Sequence, residues 1–438
     1  MIDIKHLREA PDLYRQASIQ KRLAVDIDAL LAMDAEHRRL LTDRQNLVAE
    51  KNRIGKQIGQ LAGRLKKADA ETQATLRDDM ADLQKRPAEI KKQEQVIELR
   101  LAELEPQLED LLLRVPQPPD EGVPIGKDDE DNVELRTWGT VPSFGFTPLD
   151  HVALGAKLGI IDIERGVKLA GTRSYVLRGA GMRLHQAVLQ LALDMMVERG
   201  FEPMSIPTIV RQDAMQGTGY LPAGRDQCYV LEQEDPTLFL VGTAEVSLTA
   251  YHMDEVLEET DLPRRYVAWS SCFRREAGTY GKDTSGLYRI HQFEKVEQVI
   301  VCRGDVEESI RWHEQILANA EAVLQALELP YRVVHVCTGD LGMGQAAKFD
   351  IETWMPSRKS YGETHSASRF YEFQARRLKL RCRDAEGQLR FCHTLNNTVI
   401  ASPRILIPLL EINQNEDGSV TVPAVLRSYL GGLERIEP

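Results

Sequence analysis

Between Cys272 and Glu297 the sequence reads CFRREAGTYGKDTSGLYRIHQFEKVE. Two arginines and a glutamate, Arg274, Arg275 and Glu276, precede a Gly-rich polar turn. A β-like run from Leu287 to Val296 then returns with an aromatic, Phe293, and ends on Glu297. A strand, a loop and a strand with charge at the base suit a nucleotide. A guanidinium forks onto a phosphate, a ring stacks on a base, and a carboxylate holds an amine. An ordinary hairpin with surface ion pairs has the same outline, so the weight falls on the other motifs.

Three more motifs carry polar chemistry. FEPMSIPTIVRQDAMQGTGYLP (Phe201–Pro222) is a helix end leading into a strand centred on Pro207, and VGTAEVSL supplies Thr243 and Glu245. The C-terminal block holds GETHSASRFYEFQARR (Gly362–Arg377) and TLNNTVIASPRILIPLLE (Thr394–Glu411). The elements around them are amphipathic helices at Gly181–Arg199 and Asp305–Leu327 and β-rich runs at Leu238–Gly242, Tyr266–Trp269, Val296–Cys302 and Tyr331–Val336. Helices and strands do not alternate as βαβ units, which predicts an antiparallel sheet with flanking helices. No Walker A pattern is present, and Gly339, Gly342 and Gly344 lack the dinucleotide spacing.

The first third has a different periodicity. Seam positions step by three and four from Leu30 to Leu65, apolar except at His37, Arg44 and Lys51, and resume from Leu76 to Leu111, where only Glu94 is polar and Pro87 interrupts. Two matched runs joined by a few residues predict an antiparallel coiled coil with arms of roughly 50 Å. Pro87 on the second seam predicts a bend, and Pro106 a bend or a break. Between Arg38 and Lys67 nine basic residues face only Asp43 and Glu50, a net of +7. A positive edge of this kind suits a phosphate backbone, although a solvated helix face has the same composition. The Pro-rich and then acidic stretch after Arg114 marks a boundary. The expected division is an N-terminal domain at 1–114, a linker at 115–140 and a further domain at 141–438.

Bulk properties set limits. The chain has 438 residues, 42% hydrophobic and 28% charged, as expected of a globular protein. A net charge of −12 disfavours non-specific nucleic-acid binding, so any RNA contact needs a local basic surface. Six scattered cysteines without a CxxC pair predict reduced cytoplasmic thiols, with neither a disulfide framework nor a zinc site. The first residues have neither a signal-peptide nor a transit-peptide pattern, and no apolar run is long enough to predict a membrane span.

In this order, behind a heptad hairpin, FRREAG, RIHQFEKVE, TAE and FQARR closely resemble the bacterial-type seryl-tRNA synthetases over essentially the whole chain. The resemblance implies an α+β fold: a class II antiparallel-sheet catalytic domain with flanking helices, plus a long N-terminal helical arm that binds tRNA. It implies activation of L-serine with ATP and Mg²⁺ and transfer to tRNA(Ser), and to tRNA(Sec) where present, by a cytoplasmic homodimer. The Pro207 segment would build the dimer interface. Arg274 would bridge the ATP α-phosphate and the serine carboxylate, Glu276 would meet the adenine side, and Phe293 would stack on adenine. Arg404 would reach the γ-phosphate, and Arg275, Ile290, Thr364 and His365 would complete the nucleotide set. Glu363 and Ser366 would ligate Mg²⁺. Thr243, Ala244, Glu245, Glu297, Asn396 and Thr398, with Arg274, would form the serine pocket. Arg38, Arg44, Lys51, Lys56 and Arg64 would contact tRNA. The chemistry needs positioning and charge neutralisation rather than a side-chain base, so His291 and His365 are read as structural.

The chain departs from the commonest family pattern at Ala367 and Arg369, at Asn396-Asn397-Thr398, and at Pro403 before Arg404. Two rival readings are an inactive synthetase-like paralogue and an enzyme that loads a carrier protein. The retained Arg274, Glu276, Glu297, Glu363 and Arg404 oppose the first, and the basic arm opposes the second.

Overall fold

The computed structural model describes residues 1–231, 237–278 and 286–438. The chain divides into two compact units: one of Asp3–Arg15 and Ala24–Val115, the other of Met1–Ile2, Gln16–Leu23 and Pro116–Pro438.

The first unit is dominated by helices α1 (Ile27–Leu65) and α2 (Ala70–Arg114). Asp26 caps α1 by accepting from the Ala29 N–H, and Asp69 caps α2 by accepting from that of Thr72. At 39 and 45 residues the helices exceed the expected arms, at about 60 and 70 Å. Seam residues Leu30, Ile54, Leu76, Ile90, Leu101 and Leu104 are buried. Polar seam positions pair across the helices: His37 lies 3.2 Å from Glu105, and Lys51 2.9 Å from Glu94. The helix runs through both prolines to Arg114, so no break occurs at Pro106. Each proline costs a hydrogen bond, and the heptad packing on either side outlasts that loss.

The second unit is built on an eight-stranded sheet. Its strands are β1 (Val133–Trp138), β2 (Glu202–Pro203), β3 (Arg264–Phe273), β4 (Gln292–Cys302), β5 (Tyr331–His335), β6 (Ala347–Met355), β7 (Ser360–Tyr371) and β8 (His393–Ser402). The spatial order is β1-β5-β6-β7-β8-β4-β3-β2, antiparallel except where β2 joins β3. Residues 115–140, read from composition as a linker, contain the edge strand β1, and Trp138 stacks on Tyr331. All six β1 residues are exposed. Its apolar residues Val133, Leu135 and Trp138 are exposed like the polar ones, so no buried face marks the segment as a strand. The return strand of the nucleotide hairpin starts at Gln292 rather than Leu287. Gly286, at φ +84°, turns the chain just before this stretch, and the Leu287 N–H is held by His151 Nε2. The Gly-rich turn expected ahead of it falls largely on 279–285, outside the described residues.

Helices α3 (Ala180–Glu198) and α5 (Val306–Ala326) cover one face of the sheet, and the short helix α4 (Glu245–Thr249) lies between them in sequence. Val296 and Ile300 of β4 join Leu184 and Val188 of α3 and Ile316 and Val323 of α5 in the main core. Alternation along β4 therefore turns Phe293, Lys295 and Glu297 to the opposite face. Among the described residues no helix is long and apolar enough to cross a membrane.

Candidate active site

That opposite face carries a partly open cleft. Arg274 follows the last residue of β3, and its N–H donates to the His291 carbonyl at 2.9 Å, closing the hairpin. Its guanidinium carbon lies 5.3 Å from the Phe293 ring centroid. Burial works against the Arg274 charge, but Tyr220, Cys272, Glu363 and Glu276 outweigh it and hold the group above its usual range. Arg274, Glu276, Ile290 and Phe293 line the cleft from the hairpin side. Glu363, Thr364, His365, Thr398 and Arg404 line it from β7, β8 and the turn beyond.

Two bulges make this lining possible. In the pairing of β4 with β8, Val296 faces Ile400 and Glu297 faces Thr398, leaving Val399 as an extra residue. Thr398 and Ala401, three apart, both reach the cleft as a result. In the pairing of β6 with β7, Ile351 faces His365 and Glu352 faces Glu363, so Thr364 is the extra residue and three consecutive side chains line the cleft.

Beneath the cleft lies a buried polar layer. Glu297 Oε2 is 2.5 Å from Lys295 Nζ and accepts from Thr398 Oγ1 at 3.2 Å. Lys295 also donates to Thr398 Oγ1 at 3.3 Å. Glu245 accepts from Tyr220 at 2.8 Å and from Gln374 at 2.8 Å, and its N–H donates to Thr243 Oγ1 at 3.2 Å. Burial, then the nearby Glu297, pushes Glu245 above the carboxylate range against the pull of Tyr220, Gln374 and Lys295. Burial and Glu245 likewise keep Tyr220 protonated as a donor. Sequence reading named neither Tyr220, Lys295 nor Gln374 as a site residue. The two-residue period of β4 is the signal that groups Lys295 with Phe293 and Glu297.

Arg404 stacks on Tyr288, 4.5 Å from the ring centroid, and donates to the Tyr288 and Glu363 carbonyls at 3.0 and 3.1 Å. The Ser402–Pro403 bond before it is cis. Glu276 is paired with Arg289 at 2.9 Å. His365 is pushed down to about 3 by burial and is neutral at physiological pH, and His291 bonds the Arg274 carbonyl.

Other expected residues lie apart from the lining. Arg275 points to solvent while its N–H donates to the Gln227 carbonyl. Ala244 packs in a small apolar cluster with Leu248 and Tyr266, so only its backbone is available to a ligand. Asn396 is buried on β8 two residues before Thr398. Arg369, one of the departures, pairs with Asp120 and lies over Tyr371.

The oxygen donors fit a hard cation held mainly by phosphates. Glu363 opens to the cleft, and Arg404, Lys348, Arg274 and Arg289 hold it ionised against the cost of burial. Ser366 pairs on the sheet with Asp350, whose Oδ1 is buried without a hydrogen-bond partner. Among the described residues no cluster of three or more His, Cys, Asp or Glu forms a closed cage, and an ion between phosphates needs none.

The family description "tRNA synthetase class II core domain (G, H, P, S and T)" matches residues 229–413, and "Seryl-tRNA synthetase N-terminal domain" matches residues 1–119. The serine–tRNA ligase of Deinococcus radiodurans is 46% identical, covering 99% of this chain and 98% of the relative. Among solved structures, the Pyrococcus horikoshii seryl-tRNA synthetase complexed with ATP has a TM-score of 0.88 at 38% identity, covering 100% of both chains. The cytoplasmic serine–tRNA ligase of Naegleria fowleri in complex with AMP has a TM-score of 0.86 at 29% identity, covering 100% of this chain and 99% of the other. The chain belongs to the serine–tRNA ligase family of class II aminoacyl-tRNA synthetases.

Proposed function

We propose that this protein activates L-serine with ATP to seryl-adenylate and transfers the seryl group to tRNA(Ser), and to tRNA(Sec) where that tRNA is present. The observation that carries this reading is that Arg274 and Phe293 line one cleft with Lys295 and Thr398, and that Thr398 is hydrogen-bonded to the buried Glu297. The relatives solved with ATP and with AMP support the nucleotide assignment.

Phe293 stacks on adenine, and Arg404 neutralises the outgoing phosphates. Arg274 holds the serine carboxylate against the α-phosphorus, so that the already ionised carboxylate attacks and pyrophosphate leaves. Glu363 and Ser366 would hold Mg²⁺, which would supply further charge neutralisation on the phosphates. Arg274 and Arg404 act by positioning and electrostatics, which suffice without a protein base. Glu245 and Thr243 receive the substrate ammonium, and Glu297 and Thr398 the hydroxyl. A site that hydrogen-bonds a substrate hydroxyl rejects an analogue without one, because its own polar groups are then left unpaired.

The helical unit binds the tRNA backbone through Arg38, Arg44, Lys51, Lys56 and Arg64, all exposed. The working unit is a cytoplasmic homodimer in which the Pro207 segment lies at the interface. Residues 1–114 serve tRNA, and the remainder carries the chemistry. Serine-dependent ATP–pyrophosphate exchange with charging of total tRNA tests the whole reading. Exchange and charging together are expected. Exchange without charging, or no exchange with any amino acid, overturns it.

A further inference from the structure

We propose that Lys295 is a specificity-positioning residue of the amino-acid pocket: its ammonium fixes Glu297 as an acceptor for the substrate hydroxyl and denies that carboxylate to a substrate ammonium. The inference rests on the serine-pocket reading above and deepens it.

The pocket floor contains two carboxylates in one buried layer. Glu245 is held by neutral donors, the Tyr220 hydroxyl and the Gln374 amide. It keeps its full negative charge available to an incoming ammonium whenever it is ionised. Glu297 is held differently, by a cation. Lys295 Nζ is 2.5 Å from its Oε2, with side-chain exposures of 6% and 3%. Once an incoming ammonium draws Glu245 into its ionised form, the layer counted with Arg274 carries two anions and two cations, a neutral charge set that matches a zwitterionic substrate. Two otherwise similar carboxylates therefore take different work: the one without a cation attracts the α-ammonium, and the cation-paired one accepts a hydrogen bond.

Geometry fixes the assignment. Lys295 and Glu297 are two apart on β4 and project from the same face, with Thr398 opposite Glu297 across the bulge. Lys295 reaches both members of the hydroxyl pair, Glu297 at 2.5 Å and Thr398 Oγ1 at 3.3 Å. Its ammonium spends hydrogens on the same Glu297 oxygen that accepts from Thr398. The carboxylate is thereby locked in orientation. A second ammonium placed beside Glu297 would meet Lys295, and like charges in a buried site discriminate strongly.

The test compares the wild type with Lys295→Met, Lys295→Gln and Lys295→Arg in ATP–pyrophosphate exchange. The two substrates are L-serine and L-2,3-diaminopropionate, which puts an amine where serine has its hydroxyl. Lys295→Met is expected to raise the KM for serine roughly tenfold while the KM for ATP stays unchanged. It is also expected to raise the diaminopropionate-to-serine ratio of kcat/KM by at least about tenfold. Lys295→Arg should restore both values toward wild type. Lys295→Gln keeps a donor but removes the charge, so it should shift the ratio even if the methionine variant fails to fold. An unchanged ratio, or KM values for serine and ATP that rise in step, overturns the proposal. So does failure of both neutral variants to fold, which assigns Lys295 to folding alone. If the wild type exchanges with serine and only the ratio prediction fails, the serine reading stands and this inference falls. If the wild type shows no serine-dependent exchange, both fall.

Discussion

The helical unit and the cleft use the same residue types in opposite ways. In the helices, Lys51 and Glu94 pair with side-chain exposures of 46% and 14%, and Arg100 with Glu36 at 45% and 30%. Under the cleft, Lys295 and Glu297 pair almost without solvent. Exposed pairs are screened and contribute little, so their charges stay available to a polyanion. A buried pair is costly to break because the remaining charge has no solvent to turn to. An exposed charged surface suits approximate recognition of many phosphates, and a buried ion pair suits strict recognition of one small ligand.

Removing a charge from the cleft should show the largest effect. Arg274→Ala is expected to lower serine-dependent exchange by about 10²–10³-fold, the scale of losing a group aimed at developing charge. The oligomeric state measured by sedimentation should be the same as that of the wild type. Normal exchange by this variant would remove Arg274 from its role.

The helical unit should answer differently. Arg44→Glu, Lys56→Glu and Arg64→Glu combined are expected to raise the KM for tRNA roughly tenfold or more at moderate salt, and to flatten its salt dependence by about three released counterions. Exchange without tRNA should be untouched. Equal loss of exchange and charging would erase the functional distinction between the two regions.

Buried titrating groups give the sheet unit an acid response. Burial pushes His313 and His365 down to about 3, while in the unfolded chain each titrates near 6.5. Below pH ~6.5 the unfolded chain takes up protons that the folded one refuses. The stability these two histidines contribute is therefore full above that pH and is lost as the pH falls toward 3, while Asp350, raised to about 7 by burial, acts in the opposite sense. Each histidine contributes about 1.4 kcal/mol per pH unit within this window. The urea midpoint should be lower at pH 5.5 than at pH 7.5, and His313→Gln should reduce that difference.

What was legible in the sequence follows from how local each signal is. The heptads of α1 and α2 are a repeated local pattern, and Arg274, Phe293 and Glu297 announce themselves by residue type within one hairpin. The bulges at Thr364 and Val399 are not local. They depend on registry against β6 and β4, and a strand read alone gives no hint that Thr398 and Ala401 share a lining. Tyr220 and Gln374 acquire a role only by meeting Glu245, at sequence separations of 25 and 129. Arg369 looked like a departure, and its meaning lies in Asp120, 249 residues away. Strand β1 was hidden because the proline-rich and acidic residues ahead of it dominate the stretch 115–140, and only its pairing with β5, about 195 residues away, makes it a strand.

The smallest expected effect sharpens the contrast most. Lys51 and Glu94 both occupy seam positions of the helical hairpin, and their ion pair is the exposed counterpart of Lys295–Glu297. Replacing both by leucine extends the apolar seam and removes a pair contributing at most about 1 kcal/mol. The thermal midpoint should stay level or rise slightly, and tRNA binding should weaken only by the loss of one cation among several. The corresponding double replacement under the cleft, Lys295→Met with Glu297→Leu, also exchanges an ion pair for packing, and packing alone can tolerate it. Yet it should abolish serine selection if the proposed pocket holds, because there the pair would be part of what the substrate binds. A large fall in stability for the Lys51/Glu94 variant would mean that the helical hairpin depends on its seam charges. Serine selection surviving the cleft replacement would mean that the floor is packing and nothing more.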